Sequence, residues 1–156
     1  MDDIRSGSQG APEWAVLASQ GSFEKLGQLI DGPEQELRSS ALTALQQFVK
    51  DPDFLTASAW RDVFKERARA QKVMGYWVSV LRDALYDLEN QKSSIMNVDQ
   101  DSLLKFLSSL GREKVLNLLQ RSLRTETAIL QNRDVQLLLE EFWVQNQNAE
   151  SGLDYA

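Results

Sequence analysis

Apolar residues recur at intervals of three and four along nearly the whole chain, and no stretch alternates with the two-residue period of a strand. The pattern predicts helix after helix. Pro12 suits a first helical position and opens a short one. Gly21 breaks it, and Ser22 is placed to cap a second helix holding Phe23, Leu26, Leu29 and Ile30. Gly32-Pro33 ends that helix and starts a third, in which Leu37, Ala41, Ala44, Leu45 and Phe48 share a face. Asp51-Pro52-Asp53 reads as a turn, and Ser58 as the cap of a segment with Trp60, Val63 and Phe64.

A long helix is predicted over Arg69 to Asn90. Val73, Trp77, Val80, Leu81, Ala84, Leu85 and Leu88 form a stripe wide enough for two neighbours. Gln91 to Val98 reads as a loop, with Asp99 capping a helix that turns Leu103, Leu107 and Leu110 inward and stops at Gly111. Arg112 to Gln131 follows, its inward stripe read as Val115, Leu119, Leu123, Glu126 and Leu130, with Glu126 the one polar interruption. Asn132 suits the left-handed conformation of a tight joint. Asp134 then caps a last helix with Val135, Leu138, Leu139, Phe142 and Trp143.

The expected fold is all-α, a single bundle of about six to seven helices joined by short connections. Residues 1–10 read as a disordered N-terminal linker, 11–146 as the helical domain and 147–156 as a frayed polar tail. A chain of 156 residues is long enough for one core without disulfides or metal.

Composition then removes whole classes of chemistry. There is no Cys and no His, so thiolate nucleophiles, histidine bases and the usual zinc sites are excluded. No apolar run approaches the roughly 18 residues that span a membrane. A soluble, cytoplasmic protein is the expectation. The net charge of −6 argues against tight binding of DNA by this domain alone, since phosphate attraction dominates such affinity. Charge is uneven: Arg61, Lys65, Arg67, Arg69 and Lys72 outweigh Asp62 and Glu66, while every charged residue from Asp134 onward is acidic. Both runs read as solvated faces, or as complements to a neighbouring protein.

No phosphate-binding loop is present; Gly21-Ser22-Phe23-Glu24-Lys25 lacks both the paired glycines and a preceding strand. Asp83 and Asp87 lie one turn apart on a face with Ser79 and Tyr86, which predicts a wet pair unsuited to acid–base work. No catalytic, cofactor-binding or metal residues are expected. Trp14, Trp60, Trp77 and Trp143 read as core. Tyr76, Val78, Leu137 and Phe142 read as apolar residues beyond what one core requires, and therefore as interface.

Four signatures stand in order: Leu81-Arg82-Asp83, Asn97-Val98-Asp99, Leu130-Gln131-Asn132 and Leu138-Leu139-Glu140. Their order and spacing resemble the C-terminal collar domain of the delta-prime subunit of the bacterial DNA polymerase III clamp loader, over roughly Gly21 to Gln145. The family carries Arg-Asp on a long helix, Asn-x-Asp before the next, and an Asn joint followed by Leu-x-Leu-Glu. Gly27 stands near the position of the family's alanine after Gly-Ser. The resemblance implies a non-catalytic domain that joins the collar domains of other clamp-loader subunits while a sliding clamp is loaded. It implies no cofactor, no small-molecule substrate and no membrane. The collar of the gamma/tau subunit and an unrelated helical adaptor are the alternative readings.

Within that resemblance, Arg82 and Asp83 point about 100° apart on a helix and each needs its own partner. They lock the long helix to a neighbour or reach across a subunit interface. Asn97 is expected to bond its own loop backbone. Asn132 is expected to hold its joint, and Glu140 to lock the fold by reaching a base such as Arg124 or Arg133 or an exposed helix terminus, with an interface contact as the alternative.

Overall fold

The computed structural model describes residues 10–51 and 63–150. Among them lie seven α-helices and no strand: α1 (Glu13–Ser19), α2 (Phe23–Leu29), α3 (Gly32–Lys50), α4 (Arg67–Leu88), α5 (Asp101–Ser108), α6 (Arg112–Leu130) and α7 (Val135–Glu150). The all-α class is as read. A 3-10 turn, Lys92–Ser94, sits in the loop before α5. The expectations for Ser58, Trp60 and the Asp51-Pro52-Asp53 turn fall wholly or partly outside the described residues, as do most of the linker and the side chain of Trp143. The last helix runs on to Glu150, past the expected start of the polar tail.

Local chemistry sets the boundaries. The Ser22 hydroxyl accepts from the Lys25 amide at 3.1 Å, and the Asp134 carboxylate from the Leu137 amide at 2.9 Å, so both cap the helices they precede. Pro33 lies in the first turn of α3. Asn132 takes φ 61° at the α6–α7 joint.

α4 is the hub, packed against α3, α5 and α6. Its Trp77 stands at the centre of an aromatic cluster, with ring centroids 6.0 Å from Phe48, 5.7 Å from Phe64 and 5.8 Å from Phe142. The indole N–H is satisfied by the Ala41 carbonyl at 2.7 Å. Phe142, read from sequence as interface, is only 2% exposed and belongs to this cluster.

The inward face of α6 also differs from the reading. Val115, Leu118, Ser122, Thr125 and Ile129 are buried, while Leu123 and Leu130 are 44% and 59% exposed. Counting leucines misplaced the stripe because two inward positions are small hydroxyl residues. Ser122 satisfies its hydroxyl on the Leu118 carbonyl at 2.8 Å, so its burial leaves no donor unpaired. Leu85 and Leu119, expected in the core, are half-buried at its edge.

α1 and α2 form a separate hairpin with its own small core of Trp14, Ala15, Val16 and Leu26. It rests beside the bundle rather than within it.

Candidate functional site

Where the hairpin meets the bundle, four charged or polar side chains converge. Arg38 projects from α3 and is 5% exposed. Its two terminal nitrogens donate to the two oxygens of Asp99, each at 2.8 Å, and one of them also donates to Asn97 Oδ1 at 2.8 Å. A planar guanidinium meeting a carboxylate edge-on in this way is a fixed geometry that lysine cannot copy. The guanidinium face lies 3.7 Å over the Trp14 ring, so the same side chain grips the hairpin through its π-surface.

Asp83, on α4, is fully buried. One of its oxygens accepts from the Met96 amide at 3.2 Å, the Asn97 amide at 2.8 Å and Asn97 Nδ2 at 2.7 Å. Asn97 Nδ2 also donates to the Ser79 hydroxyl at 3.0 Å. The loop before α5 is thus clamped between α3 and α4. The other Asp83 oxygen and Arg38 Nε are buried without a partner among the described residues.

Several expectations change here. Asp99 does not cap α5; the residue before that helix is Gln100, and the Asp99 carboxylate accepts from Arg38 and from the Gln100 side-chain amide at 3.1 Å. Asn97 bonds α4 and α3 rather than its own loop. Asp83 is buried, not half of a wet pair with Asp87, which instead accepts from Ser108 at 2.8 Å. Arg82 is exposed and has no side-chain partner among the described residues, so Asp83 alone of that pair locks the long helix. Glu140 is exposed, and Arg133 pairs with Glu141 at 3.1 Å instead. Asn132 is exposed, with its role in the backbone of the joint.

Arg38 went unremarked in the sequence. It had a signal: it lies one turn before Ala41 and Leu42 on the apolar stripe of α3, where a charge must find a partner.

The electrostatics are those of a lock. Burial raises the Asp99 pKa, but the Arg38 hydrogen bonds and charge outweigh it and hold the carboxyl below its usual range. A second polar link joins α3 to α4. The Tyr76 hydroxyl donates to Glu34 at 2.6 Å, and Lys72 pairs with the same carboxylate at 3.0 Å. Burial first, then the Glu34 hydrogen bond and charge, push the Tyr76 phenol well above its ordinary range. Burial also raises Glu126, whose carboxylate lies 3.5 Å from where a Cβ would stand on Gly75.

Tyr76, Val78 and Arg82 line one open groove of about 380 Å³ between the hairpin and α4. Leu137, on the outer face of α7, is 58% exposed. Among the described residues no helix is long and apolar enough to cross a membrane. No family model matches the chain, and neither a curated protein nor a solved structure matches it.

Proposed function

We propose that this chain is a non-catalytic collar domain of the delta-prime subunit of the bacterial DNA polymerase III clamp loader, binding the collar domains of sister subunits. One observation carries the reading. The Arg-Asp and Asn-x-Asp signatures lie on a helix and on the loop that follows it, fourteen positions apart, and Asp83 receives both the backbone and the side-chain amide of Asn97. The signatures that prompted the resemblance are thereby two halves of one lock, which gives their joint occurrence a structural reason. The all-α bundle around a central long helix is of the architecture such a domain requires. Tyr76, Val78 and Leu137 remain as candidate contacts on two flanks; Phe142 does not.

The test is a sizing column. The chain mixed with sister clamp-loader subunits is expected to co-elute with one or both neighbours. It is expected to bind primed DNA weakly alone. Separate elution from every sister, together with DNA binding that falls steeply with salt, would replace this reading with a nucleic-acid-binding one.

A further inference from the structure

The α1–α2 hairpin is too small to hold itself together. Its helices have seven residues each, and helices shorter than roughly 12–15 residues are marginal in water without tertiary packing. Pro12 gives α1 no side-chain cap, Gly27 sits in the middle of α2, and Phe23 is 56% exposed. The hairpin's four buried apolar residues form a cluster separate from the one around Trp77. Its folding therefore depends on where it is seated.

The seat is fixed, and the hinge is unpacked. Asp99 and Asn97 hold the Arg38 guanidinium in plane, and one face of it meets the Trp14 ring at 3.7 Å. Where the hairpin joins α3, the Ile30 carbonyl accepts from Gln35 Nε2 at 2.7 Å. The Asp31 side chain gives α3 no cap, and a Cβ on Gly32 would stand in open space. On its other side the hairpin faces the open groove of about 380 Å³. Ala18, Gln20 and Leu29 of the hairpin make one wall of that groove, and Tyr76, Val78 and Arg82 of α4 make the other.

We propose that the hairpin gates this flank of the molecule. It is folded while Trp14 is seated on Arg38, and when it leaves that seat it unfolds as a unit and removes one wall of the groove. Regulation of the flank in this way rests on the collar reading for what binds there. A sister subunit in the groove binds the seated state alone. Its apparent affinity falls with the fraction of molecules whose hairpin is open. By reciprocity, its binding holds the hairpin shut. Arg38 thus sets the affinity of a surface that it does not line.

The absence of cysteine from the chain makes thiol labelling a clean test. Ala15 in the hairpin core and Ala84 on α4 are both 0% exposed, so an Ala15→Cys thiol reports hairpin opening and an Ala84→Cys thiol reports opening of the bundle. Position 15 is expected to label faster than position 84. Arg38→Gln should quicken labelling at 15 roughly tenfold or more and leave position 84 slow, which also shows that the bundle of that variant is folded. The sister at this flank is the one whose binding Val78→Asp weakens. It should slow labelling at 15, and should bind Arg38→Gln roughly tenfold more weakly than wild type. Equal labelling rates at 15 and 84 overturn the gate, as does an Arg38→Gln effect that is the same at both. A sister that binds at Val78 without slowing position 15, or that binds Arg38→Gln as tightly as wild type, overturns the gate and leaves the collar reading intact. A hairpin that opens as expected in a chain that no sister binds overturns the collar reading and leaves the opening of the hairpin standing.

Discussion

The bundle and the α1–α2 hairpin solve the same problem by different means. Around Trp77 the chain buries large apolar side chains from α3, α4 and α7 against one another, with further contributions from α5 and α6. The hairpin has four buried apolar residues of its own and meets the bundle at one cation that faces Trp14 and bonds Asp99 and Asn97. Packing is non-directional and tolerates small shifts. A guanidinium held by a ring face and two side-chain acceptors has only one arrangement. The bundle is therefore expected to unfold as a whole and the hairpin to open by itself, as locally stabilised segments do.

The sharpest way to break this contrast is in the bundle. Trp77→Ala should cost about 3–5 kcal/mol through a cavity at the centre of the aromatic cluster. Its melting temperature should fall with no region spared, and hydrogen exchange should quicken in every helix. Survival of α4–α6 protection would show that the core is not one cooperative unit.

Arg38→Ala comes next. It removes the buried partner of an ion pair whose acid, Asp99, is 38% exposed and regains water, so the cost is that of the lost charged hydrogen bonds, about 1.5–3 kcal/mol. Hydrogen exchange should quicken first in α1, α2 and the loop at 95–99, with Trp77 still protected. Uniform loss across α6 and α7 would mean that the hairpin has no independence.

The same tie should carry a pH signature. The folded pKa of Asp99 lies below its unfolded value. Its contribution is complete above the ordinary carboxylate pKa of about 3.9 and is lost as pH falls toward the lower folded value. Glu126 runs the other way. Its raised folded pKa makes its charge destabilising above that value, and acid relieves the cost. Urea melts of Asp99→Asn and wild type should therefore converge as pH drops below about 4, whereas Glu126→Gln should gain most over wild type near neutrality. A gap for Asp99→Asn that is constant with pH would show that its ionic character does not matter.

The smallest effect is expected at Gly75 on α4. A methyl there meets the Glu126 carboxylate at ordinary van der Waals distance. Gly75→Ala should stabilise the helix by up to about 1 kcal/mol, read as a small rise in melting temperature. A loss would mean that α4 and α6 are closer than the side chains imply.

Periodicity was enough to place most helices, Trp77 and the caps at Ser22 and Asp134, because those depend on neighbours close in sequence. It could not place the α6 face, where Ser122 and Thr125 go inward although they count as polar. It also could not foresee that Asp99 would turn from its nearby helix end to Arg38, sixty-one positions away. The pairing of Asp83 with Asn97 was legible only as two separate signatures. Their meeting depends on the loop folding back along α4, which no local pattern encodes.

The clamp on that loop has a consequence for how this surface can change. Asp83 takes hold of the backbone amides of Met96 and Asn97, so proline is barred at both positions. The Met96 side chain is not part of the clamp, and it helps line the groove beside Val78 and Arg82. Substitution at 96 is therefore free to reshape what the groove accepts without loosening the loop that presents it. The position of this surface is written on α3 and α4, and its lettering can be rewritten separately.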